Sequence, residues 1–284
     1  MATLALISQK GGVGKTTIAV NLSFSLAKRG WKILLVDADP QGGVGFSLTE
    51  KSKDAPGYFD FLFQTEDSVP LTMEGAVIQT RLPGLSLMTR GSRRALDLLL
   101  AHGIEGALAE GRAKLLDREL VSLGYDLVIY DTPTGLNPLA MGLAGCADSL
   151  LVPQQPGPLC LRSLPQILRM VAAARAGNGG DDTPRLAGFV LSMTDPEDSS
   201  SLADQREFRD LLPLELVLET VIPVHRDFRE ASRLGVTVAM LRERPSASSL
   251  IFDQLAAELE SRLSLYEEED STLKNRDDYA RLVD

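Results

Sequence analysis

The run Gln9-Lys10-Gly11-Gly12-Val13-Gly14-Lys15-Thr16-Thr17 concentrates the residue types that bind phosphate. A glycine-rich turn lets successive backbone N–H groups point inward at phosphate oxygens. A helix opening directly after it adds the positive end of its dipole. Lys15 is spaced to reach β- and γ-phosphates, and the Thr16 hydroxyl to ligate Mg²⁺. The strict pattern G-x-x-x-x-G-K-[ST] fails at Gln9, where its first glycine would stand, and Lys10 brings a second ammonium into the loop. A dinucleotide fingerprint needs G-x-G-x-x-G, and the run from Gly12 to Thr17 breaks it at the third glycine. The spacing therefore predicts a mononucleotide loop, with Lys10, Gly11, Gly12, Val13, Gly14, Lys15, Thr16 and Thr17 as triphosphate ligands. The alternative is a chance glycine turn.

Two acidic clusters complete the set. Asp37-Ala38-Asp39-Pro40-Gln41-Gly42-Gly43 follows a short apolar run. Carboxylates at the C-terminal end of a strand next to the first one border the nucleotide crevice of an open α/β sheet. Asp39 is placed to orient an attacking water, in a reaction where positioning outweighs proton removal. The alternative is that both acids only form a turn before Pro40. Leu127-Val128-Ile129-Tyr130-Asp131 is a third apolar run ending in an acid, followed by Thr132-Pro133-Thr134-Gly135. Thr16 is the direct candidate for Mg²⁺, with Asp37 and Asp131 acting through water, and the loop after Asp131 is suited to sensing a γ-phosphate. Lys15 and Asp39 form the candidate catalytic group.

These residues need a scaffold that brings three strand ends together. Residues 4–8 read as a buried strand, and 16–29 carry apolar residues at helical spacing, closed by Gly30. Strands are expected at 32–36, 125–130, 148–152, 186–193 and 217–222. Helical patterns lie between them at about 93–123 (broken by Gly103, Gly106 and Gly111), 138–145, 161–175 and 201–212. This alternation specifies an α/β fold: a doubly wound, mostly parallel sheet with helices on both faces. One domain is expected over 1–266, with an acidic tail at 267–284. Residues 54–64 hold Tyr58, Phe59, Phe61 and Phe63, read as a small helix packed on the sheet, or else as a cargo patch. The last helix runs from about 246 to 266. Its face of Phe252, Leu255, Ala256, Leu259, Leu263 and Tyr266 is read as core or subunit contact, with acids rather than bases opposite, unlike a membrane-lying helix.

Composition narrows the classes. The 284 residues are 44% hydrophobic and 24% charged, as in globular chains. No apolar run reaches the ~18 residues of a membrane span, and no basic n-region precedes the first strand. Cys146 and Cys160 form no CxxC pair, so neither a zinc site nor a disulfide framework is expected, and the location is read as cytoplasmic. The formal charge of −10 argues at first against a phosphate-rich partner. Residues 253–284 hold ten acids and four bases, a net of −6, so most of the acidity lies beyond the motifs. Residues 226–244 hold five arginines against three acids. Arg226, Arg229 and Arg233 fall on one helical face, which suits either phosphate contact or pairing with Glu230.

The loop, the switch-like segment 37–41 and the segment 131–133 together resemble the ParA/MinD group of P-loop ATPases with a deviant Walker A loop. The resemblance covers about residues 2–245, and 148–153 and 220–231 resemble two later blocks of that family. It implies that Lys10 reaches across a nucleotide-sandwich homodimer to the partner's phosphates, as an arginine finger would. It also implies that Pro223 and His225 sit near adenine. Family members commonly have Pro-Arg-Asn there, and this chain has Pro223-Val224-His225. The arginine that Val224 replaces touches the DNA backbone in DNA-binding members.

Two lysines in one pocket repel until ATP–Mg²⁺ fills it, a physical reason for ATP-linked dimerisation. The expected function is a slow, partner-stimulated ATPase. In the ATP state it binds non-specific double-stranded DNA at the nucleoid and positions a plasmid, chromosome or protein assembly through an adaptor. With nine residues before Lys10, an N-terminal operator-reading domain is not expected. The alternative is an ATP-switched regulator of a protein or membrane-associated assembly, though the acidic C-terminus lacks a basic amphipathic anchor. An iron–sulfur reductase is disfavoured, since Cys146 lies fifteen residues past Asp131. A ligase-like P-loop enzyme would reveal itself by hydrolysing ATP only with a small-molecule acceptor.

Overall fold

The computed structural model describes residues 2–44, 55–64, 71–103, 111–177, 183–263 and 265. Among them, eight strands form one sheet: β1 (Ala2–Leu6), β2 (Ile33–Asp37), β3 (Val77–Gln79), β4 (Leu85–Met88), β5 (Leu127–Asp131), β6 (Ser149–Gln154), β7 (Arg185–Thr194) and β8 (Val217–Pro223). Their spatial order is β3-β4-β2-β5-β1-β6-β7-β8, and every pairing is parallel except β3 with β4. The expected architecture is present. The two short strands β3 and β4 are an addition, because three and four residues are too few to show a period.

The helices are α1 (Lys15–Lys28), α2 (Tyr58–Leu62), α3 (Met73–Ala76), α4 (Arg93–His102), α5 (Arg112–Ser122), α6 (Pro138–Cys146), α7 (Pro158–Gly177), α8 (Ser199–Asp210), α9 (Arg226–Leu234) and α10 (Ala247–Arg262). Alternate strand residues feed two cores, as a period of two requires. Leu4, Leu6, Ile33, Leu35, Leu127 and Ile129 face α1 and α10, where Ile18, Leu22, Leu26, Phe252, Leu255 and Leu259 are buried. Ala5, Leu34, Val36, Val128 and Tyr130 face the other side, with Phe59, Leu116, Leu143 and Ile167.

The aromatic segment is a short core helix. Tyr58 and Phe59 are buried, and Tyr58 meets the Tyr130 ring edge-on at 6.4 Å. Within 93–123 the structure has two helices, α4 and α5, and Gly106 lies outside the described residues. So do Tyr266 and the acidic tail, and α10 ends at Arg262.

The polar face of α10 is engaged rather than solvated. Asp253 pairs with Lys28 at 3.2 Å, and Glu258 accepts from the Glu219 and Thr220 amides. Glu260 is buried: it accepts from Arg29 Nε and Nη2 at 2.6 Å each and from Trp31 Nε1 at 2.7 Å. The contacts of Lys28, Arg29 and Trp31 tie the C-terminal end of α1 to α10, and those of Glu258 tie α10 to β8.

Candidate functional site

Register sets the site. β5 lies between β1 and β2, and Asp131 pairs with Leu6 on one side and Asp37 on the other. Neighbouring strands lie about 4.8 Å apart, so the two carboxylates leave the sheet side by side at its C-terminal edge. The loop after β1 rises beside them.

That loop ends at Gly14, whose φ of 83° is the left-handed conformation glycine adopts without strain. No side chain caps α1, and no acid stands in its first turn. Its leading N–H groups and positive pole are therefore left for an external anion. A Cβ at Gly12 or Gly14 would meet nothing within 4 Å, so the glycines line open space. Ser192 Oγ donates to the Val13 carbonyl at 2.8 Å, and Gly135 N donates to the Ser8 carbonyl at 2.9 Å, holding the loop between β7 and the segment after β5. Gln9, in place of the first glycine, uses its amide to donate to Gln166 on α7.

Lys15 is 7% exposed, and its Nζ donates to Thr134 Oγ1 at 3.1 Å. Burial lowers its pKa, while the charges of Asp131 and Asp39 oppose that loss. Thr16 Oγ1 donates to Asp131 Oδ2 at 2.7 Å. Asp37 accepts from the Val44 amide at 3.2 Å, and Asp39 Oδ1 from the Gln41 amide at 2.9 Å. Burial first, and then repulsion from Asp131, pushes Asp37 up to about 8. Burial pushes Asp131 up to about 7 against the pull of Thr16 and Lys15.

A divalent cation fits this donor set. Asp131 Oδ1 is buried with no hydrogen-bond partner, beside a second carboxylate whose charge is equally unfavourable without a cation. Thr16, Asp37 and Asp131 would hold Mg²⁺, which supplies charge neutralisation for phosphate oxygens. Because both carboxyls hold protons below their raised pKa values, cation binding must release protons. Apparent Mg²⁺ affinity is therefore expected to rise from about pH 6 to about pH 8.5, with proton uptake by buffer in calorimetry. A flat profile would remove Asp37 and Asp131 from the metal set.

The other predicted residues lie farther along the edge. Val224 N donates to the Thr194 carbonyl at 2.8 Å, continuing β8 beside the β7 end that holds Val13. Pro223 closes β8, and His225 caps α9, its Nδ1 accepting the Asp227 amide at 3.2 Å. No hydrogen bond among the described residues joins Pro223 or His225 directly to residues 9–17. Asp227 is buried and accepts from Ser248 Oγ at 2.7 Å and Arg242 Nη2 at 3.2 Å. The Ser248 bond leads in holding its pKa below the usual carboxylate range.

This anchoring presents Arg226, Arg229 and Arg233 to solvent. The pairing of Arg226 with Glu230 is not found among the described ion pairs; Arg226 lies 3.9 Å from Asp227 instead. Arg229 and Arg233 have no ion pair there either. Both thiols are free and pushed up to about 11, chiefly by burial, which leaves them unreactive. Among the described residues no His/Cys/Asp/Glu group forms a further metal cluster.

The sequence placed Thr134 in a loop suited to sensing a γ-phosphate without singling it out as the partner of Lys15, and it gave no sign of Ser192 or Arg90. Ser192 carries no local signal, because its partner lies 179 residues away.

A family model described as an AAA domain matches residues 1–178. The chromosome partitioning protein ParA of Caulobacter vibrioides is 33% identical over 274 residues, covering 92% of this chain and 95% of its own length. The ATP complex of McdA from Cyanothece superposes with a TM-score of 0.72 at 20% identity, covering 95% of this chain and 99% of that one. Cobyrinic acid a,c-diamide synthase from Mycobacterium smegmatis, with a bound ATP analogue and magnesium, gives 0.70 at 27% identity, covering 93% and 96%.

Proposed function

This chain belongs to the ParA/MinD family of P-loop ATPases, and from that premise we propose that it is an ATP-dependent dimerising switch. Its cofactors are ATP and Mg²⁺. It hydrolyses ATP slowly, and its ATP dimer binds DNA without sequence preference to segregate or position a cargo. The observation that carries the reading is the convergence of Lys15, Thr16, Asp37, Asp39 and Asp131 at three adjoining strand ends, beneath a helix pole with no acid of its own.

Each residue then has a task. The N–H groups of 11–16 and Lys15 bind and orient the triphosphate. Asp39 orients the attacking water, and Thr134 holds Lys15 until phosphate replaces it. Lys10, half-buried beside the exposed Gly11 and Gly12, crosses to the partner's phosphates in the dimer. A partner or adaptor protein raises the hydrolysis rate and selects the cargo. A nucleoid-associated ATP state follows.

The DNA component rests on α9, whose three exposed arginines recur on one face without carboxylate partners for Arg229 and Arg233. Counterion release should make binding steeply salt-dependent. In a DNA-pelleting assay, the ATP-state protein is expected to pellet at about 50 mM salt and to be released by about 200 mM. Neither the ADP nor the nucleotide-free protein should pellet. Arg229→Glu with Arg233→Glu should weaken binding about tenfold or more and flatten the salt slope. ATP-state protein that leaves DNA untouched at the lower salt would overturn the DNA component and favour a regulator of a protein or membrane-associated assembly. Among the described residues no helix is long and apolar enough to cross a membrane, and co-flotation with anionic vesicles would mark the membrane form of that alternative.

A further inference from the structure

Arg90 is absent from every motif above, yet it touches the segment that carries Asp39. Its backbone is held from behind by the start of α2. Tyr58 N donates to the Thr89 carbonyl at 2.8 Å and Phe59 N to the Arg90 carbonyl at 2.9 Å. Asp60 then accepts from Ser92 N at 2.7 Å and from Ser92 Oγ at 2.5 Å. From this anchor the guanidinium crosses to the neighbouring strand end, where Nη1 donates to the Pro40 carbonyl at 2.5 Å.

The side chain also lies flat against Gly42. A Cβ there would sit 2.5–2.9 Å from Arg90 Cδ, Nε and Cζ, and the φ of +69° independently favours glycine. On the opposite side, a Cβ at Gly43 would lie 3.0 Å from the Thr16 methyl. The turn is thus held between Arg90 and the phosphate-loop helix. Its internal bonds both end on Asp39: Gln41 N donates to Oδ1 at 2.9 Å and Gly42 N to the carbonyl at 2.9 Å. Among the described residues, Arg90 is the side chain from outside 37–44 that hydrogen-bonds to residues 39–43.

We propose that Arg90 is a positioning residue for hydrolysis, clamping the 39–43 turn so that the Asp39 carboxylate is held toward the nucleotide crevice. The proposal deepens the reading given above and rests on Asp39 orienting the attacking water. A guanidinium suits the task because its planar donors bond the carbonyl while its face covers a residue that has no side chain. A group that positions through another should change the rate constant and leave ground-state affinity alone.

The test compares wild type, Arg90→Ala and Arg90→Lys by steady-state ATP hydrolysis, by affinity for a fluorescent ATP analogue and by amide hydrogen exchange. Arg90→Ala is expected to lower kcat about tenfold with nucleotide affinity unchanged, and to speed exchange at Gln41 and Gly42 but not at residues 11–16. Arg90→Lys still donates to the Pro40 carbonyl and should fall between the two. A kcat within twofold of wild type would overturn the proposal, as would equal losses in kcat and affinity, or a fall in kcat without faster exchange at those two amides. If the wild-type chain hydrolyses no ATP, the hydrolysis reading fails. Unchanged exchange in Arg90→Ala then overturns the clamp on its own.

Discussion

Replacing Lys15 by alanine is expected to weaken ATP binding by about 100-fold, an effect of about 3 kcal/mol that follows from truncating one partner of a buried, hydrogen-bonded charge contact. The lysine is almost fully enclosed, and burial works against its charge while nearby anions oppose that loss. In the nucleotide-free protein those anions are Asp131 and Asp39. A triphosphate offers far more negative charge in the same enclosure, where interactions are weakly screened. Alanine would leave the phosphates with the loop amides and the helix pole alone. Titration with a fluorescent ATP analogue measures the loss directly. Thermal unfolding gives a second reading, because ligand at a hundred times its Kd stabilises by about 2.7 kcal/mol and the variant should show almost none of that shift. A Kd within threefold of wild type would mean that Lys15 serves the fold through Thr134 and not the nucleotide.

Asp39→Ala should separate binding from turnover. Asp39 is half-buried, and its resolved partner is the Gln41 amide, so removing the carboxylate costs one local turn contact and little core. ATP affinity should stay within about threefold. Hydrolysis should fall by about 100-fold or more, the scale of losing a positioned group that handles the attacking water. The consequence reaches past the active site. If hydrolysis releases the dimer from DNA, the variant should remain dimeric with ATP in light scattering and stay on DNA through repeated low-salt washes. Normal phosphate release from Asp39→Ala would remove that residue from the mechanism and, with it, the premise on which the Arg90 clamp rests.

The contrast between these two residues and Arg90 marks how far local pattern reaches. Lys15, Thr16 and Gly14 sit within one turn of each other in the chain, so their chemistry is encoded where they stand. Asp37 and Asp131 end apolar runs and could be assigned to strand ends without knowing which strands pair. Arg90 and Pro40 are fifty residues apart. They meet because β4 lies next to β2, and a four-residue β4 is too short to announce itself by periodicity. Ser192 reached the loop the same way, through the position of β7. The α10 acids show the same limit: the sequence set them opposite an apolar face without assigning them partners, and packing on α1 buries Glu260 against Arg29 and Trp31.

The acidity that first argued against a nucleic-acid partner changed meaning in the same manner. The chain carries −10 overall, but the local face of α9 turns three arginines outward while Asp227 is held inward by Ser248 and Arg242. By itself the sequence determined the phosphate loop, the α/β alternation and the identity of the acids, since each depends on residues near in the chain. Only the tertiary structure decided that Asp37 and Asp131 are paired neighbours, that Asp131 keeps an unpartnered oxygen, and that Arg90 braces the Asp39 turn. Those facts depend on strand order and burial, which arise from contacts between residues that the chain keeps far apart.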